Sequence, residues 1–192
     1  MLAIHWAPVK HSKNILNNGI RKNRNGVYCF PLTGHQSLDK WWMKELKRSR
    51  RDGKKYNGFI FRLEENDLPA YFGHFIGATT REQFDKPIDT LKKLGEEIQE
   101  TIIWRIGERL LGYGMRLRNE DILRAGKEEI RKRPELYQEV LSDARFMEYI
   151  LEDYQIVLSQ SISAKRILKV IPPTEQFGRI IHKEKKNKYI EE

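Results

Sequence analysis

The first thirty-one residues constrain the fold of this chain more than any other stretch. Apolar residues at positions 4–8 surround His5, and a second apolar run at positions 26–31 surrounds Tyr28. Short apolar runs of this length that are bounded by turn residues are typical of strands. The sequence therefore predicts two short strands, each with one polar ring near its middle.

A helix is predicted between these two strands. Residues 10–16 suffice for about two helical turns, and Ser12 is a suitable N-cap. Asn18-Gly19 follows, and glycine adopts the left-handed conformation that commonly ends a helix. A strand, a short helix and a second strand in this order place His5 and Tyr28 close together on adjacent strands.

The rest of the chain predicts a mixed fold. Residues 59–63 alternate in polarity, which predicts a strand with one buried face, and residues 70–75 predict a second strand of an antiparallel pair. Residues 80–151 are mainly helical by their period, with Pro87 at a first helical position and apolar residues on one face as far as Leu110. Strand character returns at residues 154–158 and 162–171.

Three motifs in the first thirty-one residues together resemble those of the ADP-ribosyltransferase fold family. They are His5-Trp6-Ala7, Asn18-Gly19-Ile20 and Gly26-Val27-Tyr28. In that family a histidine strand, a helix that ends in an asparagine-glycine turn, and a Gly-x-Tyr strand follow one another. The family has threonine or serine two residues after the histidine, where this chain has Ala7.

The resemblance implies an α+β fold. Two small antiparallel sheets are expected to form a cleft beside His5 and Tyr28, with the helical segment 80–151 inserted between the early and late strands. A single domain of this kind would span residues 1–176, followed by a basic tail at 177–192.

The same resemblance implies NAD as a substrate. In the family, histidine and tyrosine hold the nicotinamide end of NAD, and a late strand opens with a catalytic glutamate. The segment from Ile162 resembles the one that follows this strand, and that register sets Gln155 at the glutamate position, with Glu152 just upstream. A glutamine keeps the hydrogen bond but lacks the negative charge that stabilises an oxocarbenium-like transition state. The sequence thus predicts an inactive or altered enzyme.

To a lesser degree the chain resembles the RNA 2′-phosphotransferases. These enzymes share the fold, use NAD, and hold a phosphate with histidine and arginine side chains. His5, Arg21, Arg24 and Arg62 are the matching candidates here. Arg21 and Arg24 are candidates for binding NAD under either resemblance.

The positive charge of the chain suggests a phosphate-bearing partner. Lysine and arginine number 36 against 27 aspartates and glutamates, which gives a net charge of +9. One loop has a high density of cations, and the candidates for binding nucleic acid are Arg48, Arg50, Arg51, Lys54 and Lys55. The competing function is therefore a non-catalytic nucleic-acid-binding module, and a third is a fold that only binds a protein partner. Alternatively, the five cations of this loop are ordinary solvent-exposed side chains that bind no partner.

Other residues have simpler interpretations. Cys29 is the single cysteine, which excludes an internal disulfide and fits a core position better than a nucleophile. His74 is a candidate ligand or base, and the pair Trp41-Trp42 is a candidate stacking surface, although packing explains both. No metal site is predicted, and no apolar run reaches the length of a membrane span, so a cytoplasmic protein is expected.

Overall fold

The computed structural model describes residues 1–33, 39, 43, 46, 54–74, 87–112, 117–143, 145–147 and 154–173. These residues belong to two compact units. One contains the described residues of 1–91 and of 153–192, and the other contains the described residues of 92–152. No helix among the described residues combines the length and the apolar character that crossing a membrane requires.

The first unit is built on six antiparallel strands. They are β1 (Leu2–Pro8), β2 (Val27–Pro31), β3 (Tyr56–Arg62), β4 (Ala70–His74), β5 (Tyr154–Leu158) and β6 (Ile167–Ile171). Their order is β4-β5-β2-β1-β3-β6. The mixed helix and strand content agrees with the prediction, but the two small sheets are not confirmed, because the described strands form one open sheet.

The two halves of this sheet meet at a short ladder. β1 pairs with β3 along its whole length, from Leu2 to Pro8, and β2 pairs with β5 from Val27 to Cys29. Between β1 and β2, in contrast, only two residue pairs form, at Ala3 and Ile4 of β1. The sheet is therefore continuous at its centre but only weakly joined there.

The helix predicted between β1 and β2 is confirmed. Helix α1 (Ser12–Asn18) ends at Gly19, whose φ of +82° is the left-handed conformation that favours glycine. The prediction that Ser12 is the N-cap is wrong. Ser12 is the first helical residue, and its hydroxyl oxygen accepts a hydrogen bond of 2.8 Å from the Asn57 side-chain amide of β3.

Two predictions for β3 and β4 are wrong. β3 does not bury a single face, because Ile60 is buried on one side of the sheet and Phe59 and Phe61 are buried on the other. β4 does not pair with β3, because its partner is β5, beginning with Ala70 opposite Leu158. The chain that connects them must cross the sheet, and it does so through a 3-10 turn in place of a hairpin.

Both faces of the central strands are covered. On one face a cluster of six buried residues spans β1, β2, β3 and β6. Its members are Ile4, Trp6, Phe30, Tyr56, Ile60 and Ile171. Met43 and Leu46 pack against this cluster, whereas Trp41 and Trp42 lie outside the described residues.

The segment before β6 also differs from its prediction. The sequence predicts one strand over residues 162–171, but residues 164–166 form a 3-10 turn and the strand begins at Ile167. The turn directs the Arg166 side chain towards Asp67, to which it is hydrogen-bonded.

The second unit is helical, in agreement with the prediction for this region. Its described helices are α2 (Leu91–Leu111), α3 (Asn119–Lys132) and α4 (Leu136–Ser142). The prediction that Pro87 occupies a first helical position is wrong. α2 begins at Leu91, and Ile88 forms a bridge with Ala70 of β4 in the first unit. Leu110 is exposed, unlike the apolar residues of α2 before it.

α2 and α3 cross at two glycines. A Cβ atom on Gly107 would overlap the carbonyl oxygen of Ile122, and one on Gly126 would overlap that of Ile103. The two backbones therefore lie in direct contact at this crossing, and only residues without a side chain fit there.

Candidate functional site

The candidate site is the stretch beyond the end of the β1–β2 ladder where the two strands are not paired, which we call the gap. The last paired residues are Ile4 and Phe30, so the same register would set His5 opposite Cys29. Beyond that point β1 continues to pair with β3, and β2 continues to pair with β5. The gap thus lies between the second half of β1 and the first half of β2.

His5 spans this gap with a side-chain hydrogen bond. Its Nδ1 lies 2.7 Å from the backbone carbonyl oxygen of Tyr28. A carbonyl only accepts, so Nδ1 must bear the proton. Burial lowers the pKa of His5, and the bond to Tyr28 opposes that effect only in part. A neutral imidazole protonated at Nδ1 leaves Nε2 as a hydrogen-bond acceptor.

His5 and Tyr28 approach the gap from opposite faces of the sheet. Side chains alternate along a strand, and paired residues share a face. Ile4 is paired with Phe30, so Tyr28 lies on the face of Ile4 and His5 lies on the other face. His5 therefore contacts the carbonyl of Tyr28, and the half-buried phenol of Tyr28 borders the gap from the opposite side.

Gln155 lies on the face of Tyr28 and is buried. Tyr28 is paired with Val157, and Gln155 is two residues from Val157 on β5. Its exposed fraction is 1%. A buried amide requires hydrogen-bond partners inside the protein, and Gln155 has an interaction partner. The residue predicted at the glutamate position is therefore part of the sheet packing, close in the strand order to Tyr28.

Sequence reasoning missed two polar side chains on the face of His5. Asn57 lies on this face because its neighbour Phe59 is paired with His5, and its side-chain oxygen is buried with no hydrogen-bond partner among the described residues. Tyr154 of β5 also projects to this face and stacks on Phe72 with ring centroids 5.0 Å apart. The alternation of side chains along β3 and β5 assigns these residues to a face only when the pairing register of the strands is known.

The arginine candidates divide into two groups. Arg21 and Arg24 are exposed on the segment between α1 and β2, which leads directly to the gap. Arg62 is paired with Leu2 at the far end of β3, three residues beyond the partner of His5. It does not join His5, so the set expected for a 2′-phosphotransferase is not brought together.

The remaining candidate residues lie outside β1 and β2, the strands that border the gap. Lys54 and Lys55 are exposed just before β3, and His74 belongs to β4. The others lie outside the described residues: Arg48, Arg50, Arg51 and Glu152.

Cys29 is confirmed as a core residue. Its exposed fraction is 0%, and burial together with the negative charge of Asp67 raises the pKa of its thiol. A thiol with a raised pKa is a poor nucleophile. In the part of the chain that the structure describes, no group of three or more metal-ligating side chains is found.

Comparison with known proteins assigns no family. No family model, curated protein or solved structure matches the chain. Function is therefore inferred from the residues around the gap.

The helical unit contains a separate cavity of about 500 Å³. Its lining combines five apolar with five charged residues: Ile106, Leu110, Leu136, Val140, Phe146, Arg109, Glu129, Arg133, Glu139 and Asp143. Arg133 pairs with Glu139, and Asp143 accepts hydrogen bonds from the backbone of the next helical turn. Much of this charge therefore stabilises the helices.

Proposed function

We propose that the protein binds NAD at the gap between β1 and β2, as an ADP-ribosyltransferase-like protein. The observation that carries this proposal is the His5–Tyr28 hydrogen bond at the point where the ladder ends. It joins two of the three motifs that resemble the family, and Gly19, which belongs to the third, ends the helix between them.

His5 is suited to bind a ribose hydroxyl. The Nδ1–H of His5 donates a hydrogen bond to the carbonyl oxygen of Tyr28. Its Nε2 can therefore accept a hydrogen bond, which a ribose hydroxyl group can donate. A protonated histidine has no acceptor, so the lowered pKa of His5 favours this role at neutral pH.

Tyr28 and the two loop arginines complete the proposed site. The ring of Tyr28 offers a face for the nicotinamide. Because His5 and Tyr28 border the gap from opposite faces, a ligand that contacts both must enter the gap itself. Arg21 and Arg24 are exposed guanidinium groups on the loop before β2, and guanidinium groups bind phosphates well.

Transfer of ADP-ribose is proposed to be slow. Departure of nicotinamide from NAD leaves positive charge on the ribose, and a nearby carboxylate would stabilise it. Gln155 is uncharged and buried in the sheet packing, so it offers no carboxylate to the ribose, and the absence of such an electrostatic group costs on the order of 100-fold or more in rate. The protein is therefore proposed to bind NAD and to cleave it slowly, with nucleic acid or protein as acceptor.

Isothermal titration of the protein with NAD tests the proposal. We expect binding by the wild-type protein and about tenfold weaker binding by His5→Ala, the loss of about one hydrogen bond of 1.4 kcal/mol. His11→Ala is the matched control, because His11 is an exposed histidine in the turn before α1. Mass spectrometry of released nicotinamide measures turnover in the same samples.

Two results would contradict the proposal. One is the absence of NAD binding by the folded wild-type protein. The other is equal weakening by His5→Ala and His11→Ala, since His11 does not border the gap. Thermal melting of each variant shows whether a loss of binding reflects unfolding.

A further inference from the structure

The first unit carries an exposed basic surface, of which the proposed NAD site accounts only for Arg21 and Arg24. Eight lysine and arginine residues on three nearby segments define it, and every one of them is exposed. They are Lys10, Lys13, Arg21, Lys22, Arg24, Lys54, Lys55 and Lys165.

Hydrogen bonds hold these segments side by side. The backbone N–H of Val9 donates to the carbonyl of Lys55 at 2.9 Å, which joins the start of α1 to the start of β3. At the other end of α1, Ile20 forms a bridge with Ile162, and the N–H of Lys22 donates to the Ser161 hydroxyl at 3.0 Å. The cations are therefore fixed on one framework and do not lie on independent loops.

Among the described residues, the three segments that carry these cations contain no aspartate or glutamate. Residues 1–38 and residues 154–173 include no aspartate or glutamate. Arg166 is excluded from the surface because Asp67 and Glu64 occupy its guanidinium. Like charges on one framework repel one another, and this repulsion is relieved when a polyanion binds.

Exposed amides lie between these cations. Asn14, Asn17 and Asn18 are exposed on α1, where Asn18 donates to Asn14 at 2.7 Å. Lysine, arginine and asparagine side chains are among the groups that contact the phosphates and sugars of a nucleic acid. An acidic peptide would have little use for the amides, and a membrane surface calls for a longer amphipathic helix than the seven residues of α1.

We propose that this basic surface binds the phosphate backbone of a nucleic acid. Charge and amide donors, not base contacts, supply the affinity, so binding depends steeply on salt and weakly on sequence. The surface acts independently of NAD cleavage. It differs from the predicted loop at residues 48–55, of which it retains only Lys54 and Lys55.

Fluorescence anisotropy with a labelled 20-nucleotide oligonucleotide, single-stranded or duplex, tests the proposal. The variant Lys10→Gln/Lys13→Gln/Lys165→Gln removes three cations of the basic surface. The control Lys92→Gln/Lys127→Gln/Lys132→Gln removes three exposed lysines of the helical unit, so both proteins lose the same net charge. Both titrations are repeated from 50 to 200 mM salt.

We expect the first variant to bind at least tenfold more weakly than the control. The slope of log affinity against log salt should also fall by about one for each phosphate that the variant no longer neutralises. Equal weakening of the two variants would overturn the proposal, because it would indicate diffuse attraction by the net charge. Displacement of the oligonucleotide by poly-glutamate of equal charge would also overturn it, in favour of an acidic polypeptide.

The test is separate from that of the NAD site. His5→Ala should bind the oligonucleotide as tightly as the wild-type protein does. Failure of NAD binding with intact oligonucleotide binding would contradict the proposed function but not the proposal for the basic surface. Intact NAD binding with failure of oligonucleotide binding would contradict the basic surface but not the proposed function.

Discussion

The guanidinium of Arg166 holds the carboxylate of Asp67 at two points: Nη1 donates to Oδ1 at 2.5 Å, and Nη2 donates to Oδ2 at 2.7 Å. Nη2 also donates to the backbone carbonyl of Arg62. Asp67 has an exposed fraction of only 2%, and its Oδ2 accepts a further hydrogen bond from the N–H of Glu64. This contact ties the crossing between β3 and β4 to the start of β6.

Replacing Arg166 should therefore destabilise the protein strongly. Arg166→Ala leaves a buried carboxylate without its cation, which costs about 3 kcal/mol. The matched control is Arg62→Ala, because Arg62 contributes only its backbone carbonyl and its side chain is exposed. Denaturant midpoints measure both changes. A control as unstable as Arg166→Ala would show that the carboxylate is not the source of the effect.

The crossing of α2 and α3 should tolerate no added methyl group. Gly107→Ala or Gly126→Ala forces the two backbones apart, and overpacking of this kind costs about 3 kcal/mol. Gly95→Ala in the same helix is the control, since a Cβ there meets no atom within 4 Å. It should stabilise α2 by up to about 1 kcal/mol, because alanine has the higher helix propensity. Thermal melting followed by circular dichroism distinguishes these outcomes, and equal effects would contradict the close approach.

The stability of the protein should depend on the protonation of His5. Its pKa in the folded state lies below the ordinary value of about 6.5, so below that pH the unfolded chain binds a proton that the folded chain does not. The free energy of unfolding must then fall as the pH drops below about 6.5, by at most about 1.4 kcal/mol per pH unit from this group.

His5→Gln removes this titration. The difference in stability between the wild-type protein and His5→Gln should shift against the wild type from pH 7 to pH 5, as measured by urea unfolding at each pH. His11→Gln provides the comparison for an exposed histidine. Parallel pH profiles of the wild type and His5→Gln would rule out a lowered pKa at His5.

Gln155→Glu should unfold the protein more readily without restoring catalysis. The substitution keeps the shape of the side chain but buries a charge at a position with 1% exposure, which costs a few kcal/mol. We expect a lower melting temperature and unchanged release of nicotinamide from NAD. A rise in nicotinamide release of 100-fold or more with an unchanged melting temperature would instead place Gln155 at the reacting centre.

The strands and the end of α1 could be predicted because each depends on a short stretch of sequence. The apolar runs located five of the strands to within two or three residues, and Asn18-Gly19 located the end of α1. The partner of β4 could not be predicted. A turn between two strands indicates a hairpin, but here the Arg166–Asp67 contact and the pairing with β5 direct the chain across the sheet.

The site could be predicted only in part for a related reason. The prediction that His5 and Tyr28 lie on adjacent strands is confirmed, but their opposite faces depend on the register of β1 against β2. A shift of one residue reverses every side chain of a strand, and no sequence signal fixes that shift for Gln155. The glycine contacts between α2 and α3 were equally hidden, because an isolated glycine in a helix carries no sign of what approaches it.

The strand order also has a consequence for biosynthesis. β1, β2 and β3 leave the ribosome early, yet the outer edges of β2 and β3 are covered only by β5 and β6, which are translated after the whole helical unit. At about 5–20 residues per second, those edges stay without partners for several seconds, and unpaired edges invite aggregation. A nascent chain stalled before Tyr154 would expose both of them and should be a target for chaperones.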